Sequence, residues 1–211
     1  MTSHFVDIHT HRRTPGTETR LLSVRIGHDA PPERGVRFSA GIHPWDAGTA
    51  RESWLDTIRT MRPDAIGETG LDRAASADAA LQREWFVRQR DLARELQLPL
   101  IVHCVRAYEE SMAWLKDFPQ PVVFHGFTGS EQLAARLTER GFYLSFGETL
   151  FRSPRTRNAL ASVPCERLFL ETDCSPLSIE TIYAEAARIR GVSVGQLKEN
   201  IENNFLTIFG K

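Results

Sequence analysis

His9 and His11 are separated by one residue and follow the short apolar segment Phe5-Val6-Asp7-Ile8. In an extended strand, residues i and i+2 share a face, so the two imidazoles stand side by side in a chelating geometry. Two nitrogens do not hold a catalytic divalent ion alone, and such a site needs further imidazoles and carboxylates. Taken alone, the pair is equally compatible with two partly exposed histidines at a strand end.

Candidates for the rest of the set are spread along the chain. His43 lies in Gly41-Ile42-His43-Pro44-Trp45, and Glu68 lies in Ile66-Gly67-Glu68-Thr69-Gly70-Leu71-Asp72. His103 and His125 each close a short apolar run, and Asp173 closes Glu171-Thr172-Asp173. Of the 7 histidines, only His4 and His28 fall outside such strand ends. Ligands this far apart can meet only if the fold gathers the ends of many strands.

The hydrophobic pattern predicts such a fold. Residues 5–9, 21–25, 36–42, 65–68, 100–103, 122–125, 142–146 and 168–171 read as strands. Several are short, rich in Val, Ile, Leu and Phe, and without polar alternation, as expected for strands buried on both faces. Helical patterns cover residues 50–61, with Trp54, Leu55 and Ile58 on one stripe, and 78–97, with Leu81, Trp85, Leu92 and Leu96. Shorter helices are predicted over 108–116, 131–140, 154–161 and 179–190, and a last one over 194–209. Eight strands alternating with helices in one domain, residues 1–211, predict an α/β fold of the (β/α)8 barrel class. The chain is short for a fold that usually takes about 250 residues. The polar, turn-rich stretch from His11 to Leu21 carries no helical stripe, so a distorted barrel lacking its first crossover helix is expected.

In a parallel barrel the C-terminal strand ends share one rim, which carries the active site. His9, His11, His43, Glu68, His103, His125 and Asp173 all map to that rim. A single histidine at a strand end is readily a packing or capping residue; five histidines and two carboxylates on six strands are not, and point to a metal site.

Composition excludes several other classes. A net charge of -1 predicts no broad basic surface of the kind that grips duplex nucleic acid. No tract approaches the roughly 20 apolar residues that span a bilayer, and the N-terminus lacks a signal-peptide pattern. Cys104, Cys165 and Cys174 are odd in number and widely spaced, which favours a reducing, cytoplasmic setting over a disulfide framework. Arginine outnumbers lysine 23 to 3, which reflects genome composition unless the arginines cluster on one face.

The combined motifs resemble the TatD-like metal-dependent hydrolases. Asp7-x-His9-x-His11, Gly41-Ile42-His43-Pro44-Trp45, Gly67-Glu68-x-Gly70-Leu71-Asp72, Leu98-Pro99-x-x-x-His103, His125-Gly126-Phe127-x-Gly129 and Glu171-Thr172-Asp173 occur in that family's order. The run Gln82-x-x-x-Phe86-x-x-Gln89 with Leu92-Ala93 also matches, so nearly the whole chain is covered. The resemblance implies a metallo-hydrolase barrel, often a deoxyribonuclease or phosphodiesterase. It implies that His9, His11, Glu68 and Asp173 hold one divalent ion, and that Glu68, His103 and His125 hold a second, with Glu68 bridging. Such donors suit Zn, Mn or Mg. Asp173 is then the residue that orients a water and takes its proton.

On the substrate side, Arg106 lies within one turn of His103 and is the best candidate for gripping a phosphate. His43 follows as a non-ligand donor, with ordering of the Pro44-Trp45 turn as the alternative. Arg12, Arg13, Arg73, Arg152, Arg155 and Arg157 also follow strand ends, and Glu171 is expected to tune the site from behind. The loop after Asp173 is shorter than in longer family members, which leaves DNA or a small phosphoester as substrate. Three readings compete: a phosphodiesterase or deoxyribonuclease; an amidohydrolase-type enzyme acting on a small ester, amide or phosphomonoester; and a non-catalytic metal-binding scaffold. A monomer or weak homo-oligomer with no membrane partner is expected.

Overall fold

A computed structural model describes residues 4–14, 16 and 18–210. The chain's contacts group into two compact units, residues 22–123 and residues 1–21 with 124–211.

The central unit holds most of β2 (Thr19–Arg25), then β3 (Phe38–Gly41), β4 (Ala65–Asp72) and β5 (Leu100–Val105). These strands pair in parallel in chain order. Helix α1 (Glu52–Met61) joins β3 to β4, and α2 (Ala79–Leu96) joins β4 to β5. Every residue of β3 and β4 is buried, in keeping with strands covered on both faces. Asp78 caps α2 by accepting from the amides of Ala80 and Leu81. The buried face of α2 is Gln82, Trp85, Phe86, Gln89, Leu92 and Ala93. Leu81, expected on the core stripe, is instead exposed. The stripe is rotated because two glutamines, not two leucines, complete the buried face. α3 (Tyr108–Trp114) follows β5 and leads to β6 (Val122–Phe124).

The terminal unit holds β1 (Val6–Thr10), β7 (Tyr143–Phe146) and β8 (Leu168–Leu170), with β7 and β8 parallel. Thr10 pairs in parallel with Asp173, three residues beyond β8. The helices are α4 (Glu131–Glu139), α5 (Pro154–Ser162), α6 (Ile179–Arg190) and α7 (Val194–Phe209). Ser130, Ser153, Ser178 and Ser193 each cap the helix that follows. Tyr183 of α6 is fully buried, and its hydroxyl accepts from the amide of Val6 and donates to its carbonyl, fixing β1 three residues before His9.

Among the described residues no helix lies between β1 and β2, as the polar stretch after His11 predicts; Pro15 and Thr17 lie outside them. β2 and β3 are also joined without a helix. No described helix is long and apolar enough to cross a membrane.

One boundary differs in a way that matters. Glu68 does not end β4 but sits in its middle. Ile66 pairs with Leu100 and Thr69 with Val102, so Gly67 and Glu68 oppose Ile101 alone. That extra residue is a bulge, which lets a strand continue while re-aiming one side chain. β5 likewise continues past His103 to Val105. Gly70 makes the close pairing possible: a Cβ there would lie 2.0 Å from the carbonyl oxygen of His103.

Candidate metal centre

In the terminal unit, β1 presents His9, and His11 follows one residue beyond its end. Their rings meet edge to face with centroids 5.1 Å apart. Asp173 is held in register with them by backbone hydrogen bonds, its amide donating to the His9 carbonyl (2.9 Å) and its carbonyl accepting from the His11 amide (3.2 Å). Its Oδ1 lies 3.7 Å from His9 Nε2 and 3.5 Å from His11 Nε2. Asp173 adopts φ 50°, a left-handed conformation that is uncommon outside glycine and that gathers at functional sites. The His9 side chain is fully buried, whereas those of His11 and Asp173 are 29% and 43% exposed. The cluster therefore has a closed side and an open side.

His125 stacks against His9 with ring centroids 4.2 Å apart. Its Nδ1 lies 3.5 Å from Glu171 Oε1, which also accepts from the Gly126 amide at 2.7 Å. Beneath this, Asp7 accepts from Thr172, through Oδ1 from the amide (2.9 Å) and through Oδ2 from the hydroxyl (2.6 Å). Burial pushes the Asp7 carboxyl up to about 7 against those hydrogen bonds. Asp7 thus fastens the Glu171-Thr172-Asp173 segment to β1.

In the central unit, Glu68 Oε1 lies 3.7 Å from His43 Nε2 and 3.8 Å from His103 Nδ1. The far nitrogen of His103, Nε2, is 3.1 Å from Asp72 Oδ2, which also accepts from the Trp45 indole N–H at 2.8 Å. Asp72 Oδ1 accepts from the amides of Ala74 and Ala75. Burial opposes ionisation of Asp72, yet the hydrogen bonds from Trp45, Ala74 and His103 outweigh it and hold the carboxyl below its ordinary range. A carboxylate behind an imidazole fixes which ring nitrogen carries the proton and which can bind a metal. His43 Nδ1 accepts from the Trp45 amide, ordering the short 3-10 helix at Pro44–Asp46, while its other nitrogen faces Glu68.

These donors fit a divalent ion. His9, His11 and Asp173 each offer an atom within 4.8 Å of the others, as do His125, Glu171 and Asp173, and likewise His43, Glu68 and His103. Ligand bonds of about 2.0–2.2 Å span such spacings, and mixed imidazole and carboxylate donors suit zinc, manganese and similar ions.

The sequence left Asp72 and Asp7 without roles although both lie in the motifs it singled out. Asp72 follows Glu68 by four residues on one strand and Asp7 precedes His9 by two, so same-face spacing was the available signal. Several arginines after strand ends are engaged in holding loops. Arg12 donates to the carbonyls of Ser175 and Leu177, tying down the segment after Asp173. Arg73 pairs with Glu110, Arg152 with Glu148, and Arg157 with the Leu150 carbonyl. Arg106 stands exposed one residue beyond β5, with φ 54°.

Known proteins share this pattern. The sequence profile described as TatD related DNase matches residues 14–210. An uncharacterized metal-dependent hydrolase of Escherichia coli K12, YcfH, is 30% identical over 197 residues, covering 82% of this chain and 74% of its own length. The 3'-5' ssDNA/RNA exonuclease TatD of Pantoea ananatis is 31% identical over 203 residues, covering 82% of this chain and 77% of its own. The crystal structure of the TatD homolog YJJV from Escherichia coli K12 covers both chains fully, with a TM-score of 0.85 at 23% identity. That likeness shows the fold class, α/β with eight strands alternating with helices in the manner of a (β/α)8 barrel.

Proposed function

The chain belongs to the TatD related DNase family, and we propose that it is a divalent-metal-dependent phosphodiesterase that cleaves single-stranded nucleic acid. The observation that carries this reading is the pairing of His9 and His11 with Asp173 Oδ1 at 3.7 and 3.5 Å, one carboxylate facing two imidazoles at an open edge. A bound divalent ion would supply Lewis-acid polarisation of the phosphoryl group and a water of lowered pKa.

The chain's own residues do the rest. In the terminal unit His9, His11, His125 and Asp173 would hold a divalent ion, and in the central unit Glu68 and His103 would do so. Asp173, exposed enough to meet a water, takes the proton of the attacking water at a carboxylate oxygen. Glu68 is the second carboxylate of the reaction. Arg106 is the phosphate grip, since an exposed guanidinium offers two parallel N–H donors to phosphate oxygens, and His43 is a second donor. Zn, Mn or Mg serves in one or two copies. The enzyme acts as a monomer or weak homo-oligomer in a reducing, cytoplasmic setting, in keeping with three widely spaced cysteines.

Offering manganese-loaded protein a single-stranded DNA oligomer beside a panel of chromogenic carboxylic esters, lactones and phosphomonoesters tests the substrate class. Chelator-sensitive cleavage of the oligomer at rates far above the panel is expected. Turnover of a panel member with no cleavage of DNA would transfer the enzyme to the amidohydrolase-type reading, and no turnover of anything would leave a scaffold.

A further inference from the structure

Trp45 is a large apolar side chain left 55% exposed beside the His43, Glu68 and His103 cluster. It is exposed but not loose. Its indole N–H is bound to Asp72 at 2.8 Å, and the His43 ring meets it edge to face with centroids 4.6 Å apart. The Arg25 guanidinium lies 5.6 Å from the ring centroid and is itself pinned by two 2.6 Å bonds to Asp46. The backbone under Trp45 is held as well, by the His43 side chain accepting from its amide. Next to the ring opens a cavity of about 450 Å³, lined by Trp45, Asp72, Ala74, Ala75, Ser76 and Ala77. Apart from Trp45 and Asp72, its lining residues are small, three alanines and one serine.

We propose that Trp45 is a stacking platform for a nucleobase of the substrate strand, with the cavity beside residues 74–77 as the slot that receives it. The inference rests on the phosphodiesterase reading above and adds to it how the strand is held. A rigid, half-exposed indole loses little conformational freedom when a base stacks on it, and stacking tolerates any base because every base has a π face. Arg25, paired with Asp46, lies over the indole and helps to hold the ring in place. Trp45 and the Asp72 carboxylate it donates to also connect the slot to His103, so base and scissile phosphate are positioned by one hydrogen-bonded unit.

The test compares oligothymidylate with an oligomer of equal length made of abasic spacers, both assayed with manganese-loaded protein for KM and kcat. Wild type is expected to show a KM about tenfold lower for the base-bearing strand, as one stacked base provides. In Trp45→Ala that ratio falls close to one, and Trp45→Phe restores most of it. The Phe variant also loses the bond to Asp72, so its rescue separates stacking from support of Asp72. A ratio that survives in Trp45→Ala, or that is absent in wild type while DNA is cleaved, overturns the platform and leaves the nuclease standing. Failure of wild type to cleave either oligomer overturns both.

Discussion

Replacing Asp173 with Asn is expected to lower kcat for phosphodiester cleavage by about 10³-fold or more, the scale associated with loss of a positioned general base. The substitution keeps the size of the side chain and its place between His9 and His11. It removes the charge that attracts a cation and the oxygen pair that accepts a proton. Asp173 is 43% exposed, and its backbone is what pairs with His9 and His11, so the fold does not depend on its carboxylate. Circular dichroism and the melting temperature should therefore match wild type within a few degrees while turnover collapses. A variant that retains near-native kcat would remove Asp173 from the chemistry, and one that melts far below wild type would make it structural.

Gln89→Ala is expected to be the most damaging change away from the candidate ligands. The carboxamide is fully buried on α2. Its oxygen accepts from the Ile42 amide at 2.7 Å, and its nitrogen donates to the Ile42 carbonyl (3.0 Å), the Thr69 hydroxyl (2.7 Å) and the Trp85 carbonyl (3.2 Å). Truncation leaves a buried amide and carbonyl without partners and opens a cavity, together about 3–5 kcal/mol. For a domain of this size that is a fall of roughly 10 °C in melting temperature. Ile42 precedes His43 and Thr69 follows Glu68, so the same change should lower activity even in the fraction that remains folded. Gln89→Met restores the volume without the hydrogen bonds. It should recover the cavity part of the loss only, which differential scanning calorimetry on the three proteins can read.

The alternation of apolar runs with amphipathic segments was enough to place all eight strands and the seven longer helices within a few residues. It worked because buried parallel strands must be apolar on both faces, as β3 and β4 are. That no helix lies among the described residues between β1 and β2 was legible for the complementary reason, since a polar stretch cannot cover a core. What escaped was tertiary in origin. The bulge that puts Glu68 in mid-strand depends on how β4 meets β5, and no local pattern encodes it. The stripe of α2 departs from the apolar pattern at Leu81 because Gln82 and Gln89 are buried through hydrogen bonds to backbone at the ends of β4 and β3, an exception that hydrophobic periodicity cannot anticipate. The ligand candidates were visible as residue types at strand ends. The carboxylates behind them, Asp72 and Asp7, share a strand face with Glu68 and His9, but their partners His103 and Thr172 emerge only from the structure. Arginines after strand ends looked like substrate contacts, but Arg12 and Arg73 hold the chain's own carbonyl and carboxylate groups.

The proposed dependence is of hydrolysis on divalent ions held by the histidine and carboxylate clusters. Its most direct test is a titration of chelator-stripped protein with manganese or zinc. Cleavage of a single-stranded DNA oligomer and metal bound per chain are measured on the same samples. Stripped protein should be inactive, and activity should return in step with bound metal, saturating at one or two ions per chain. The variant His9→Ala should bind less metal and regain little activity. Full cleavage by stripped protein, or tight metal binding that restores none, would contradict the account.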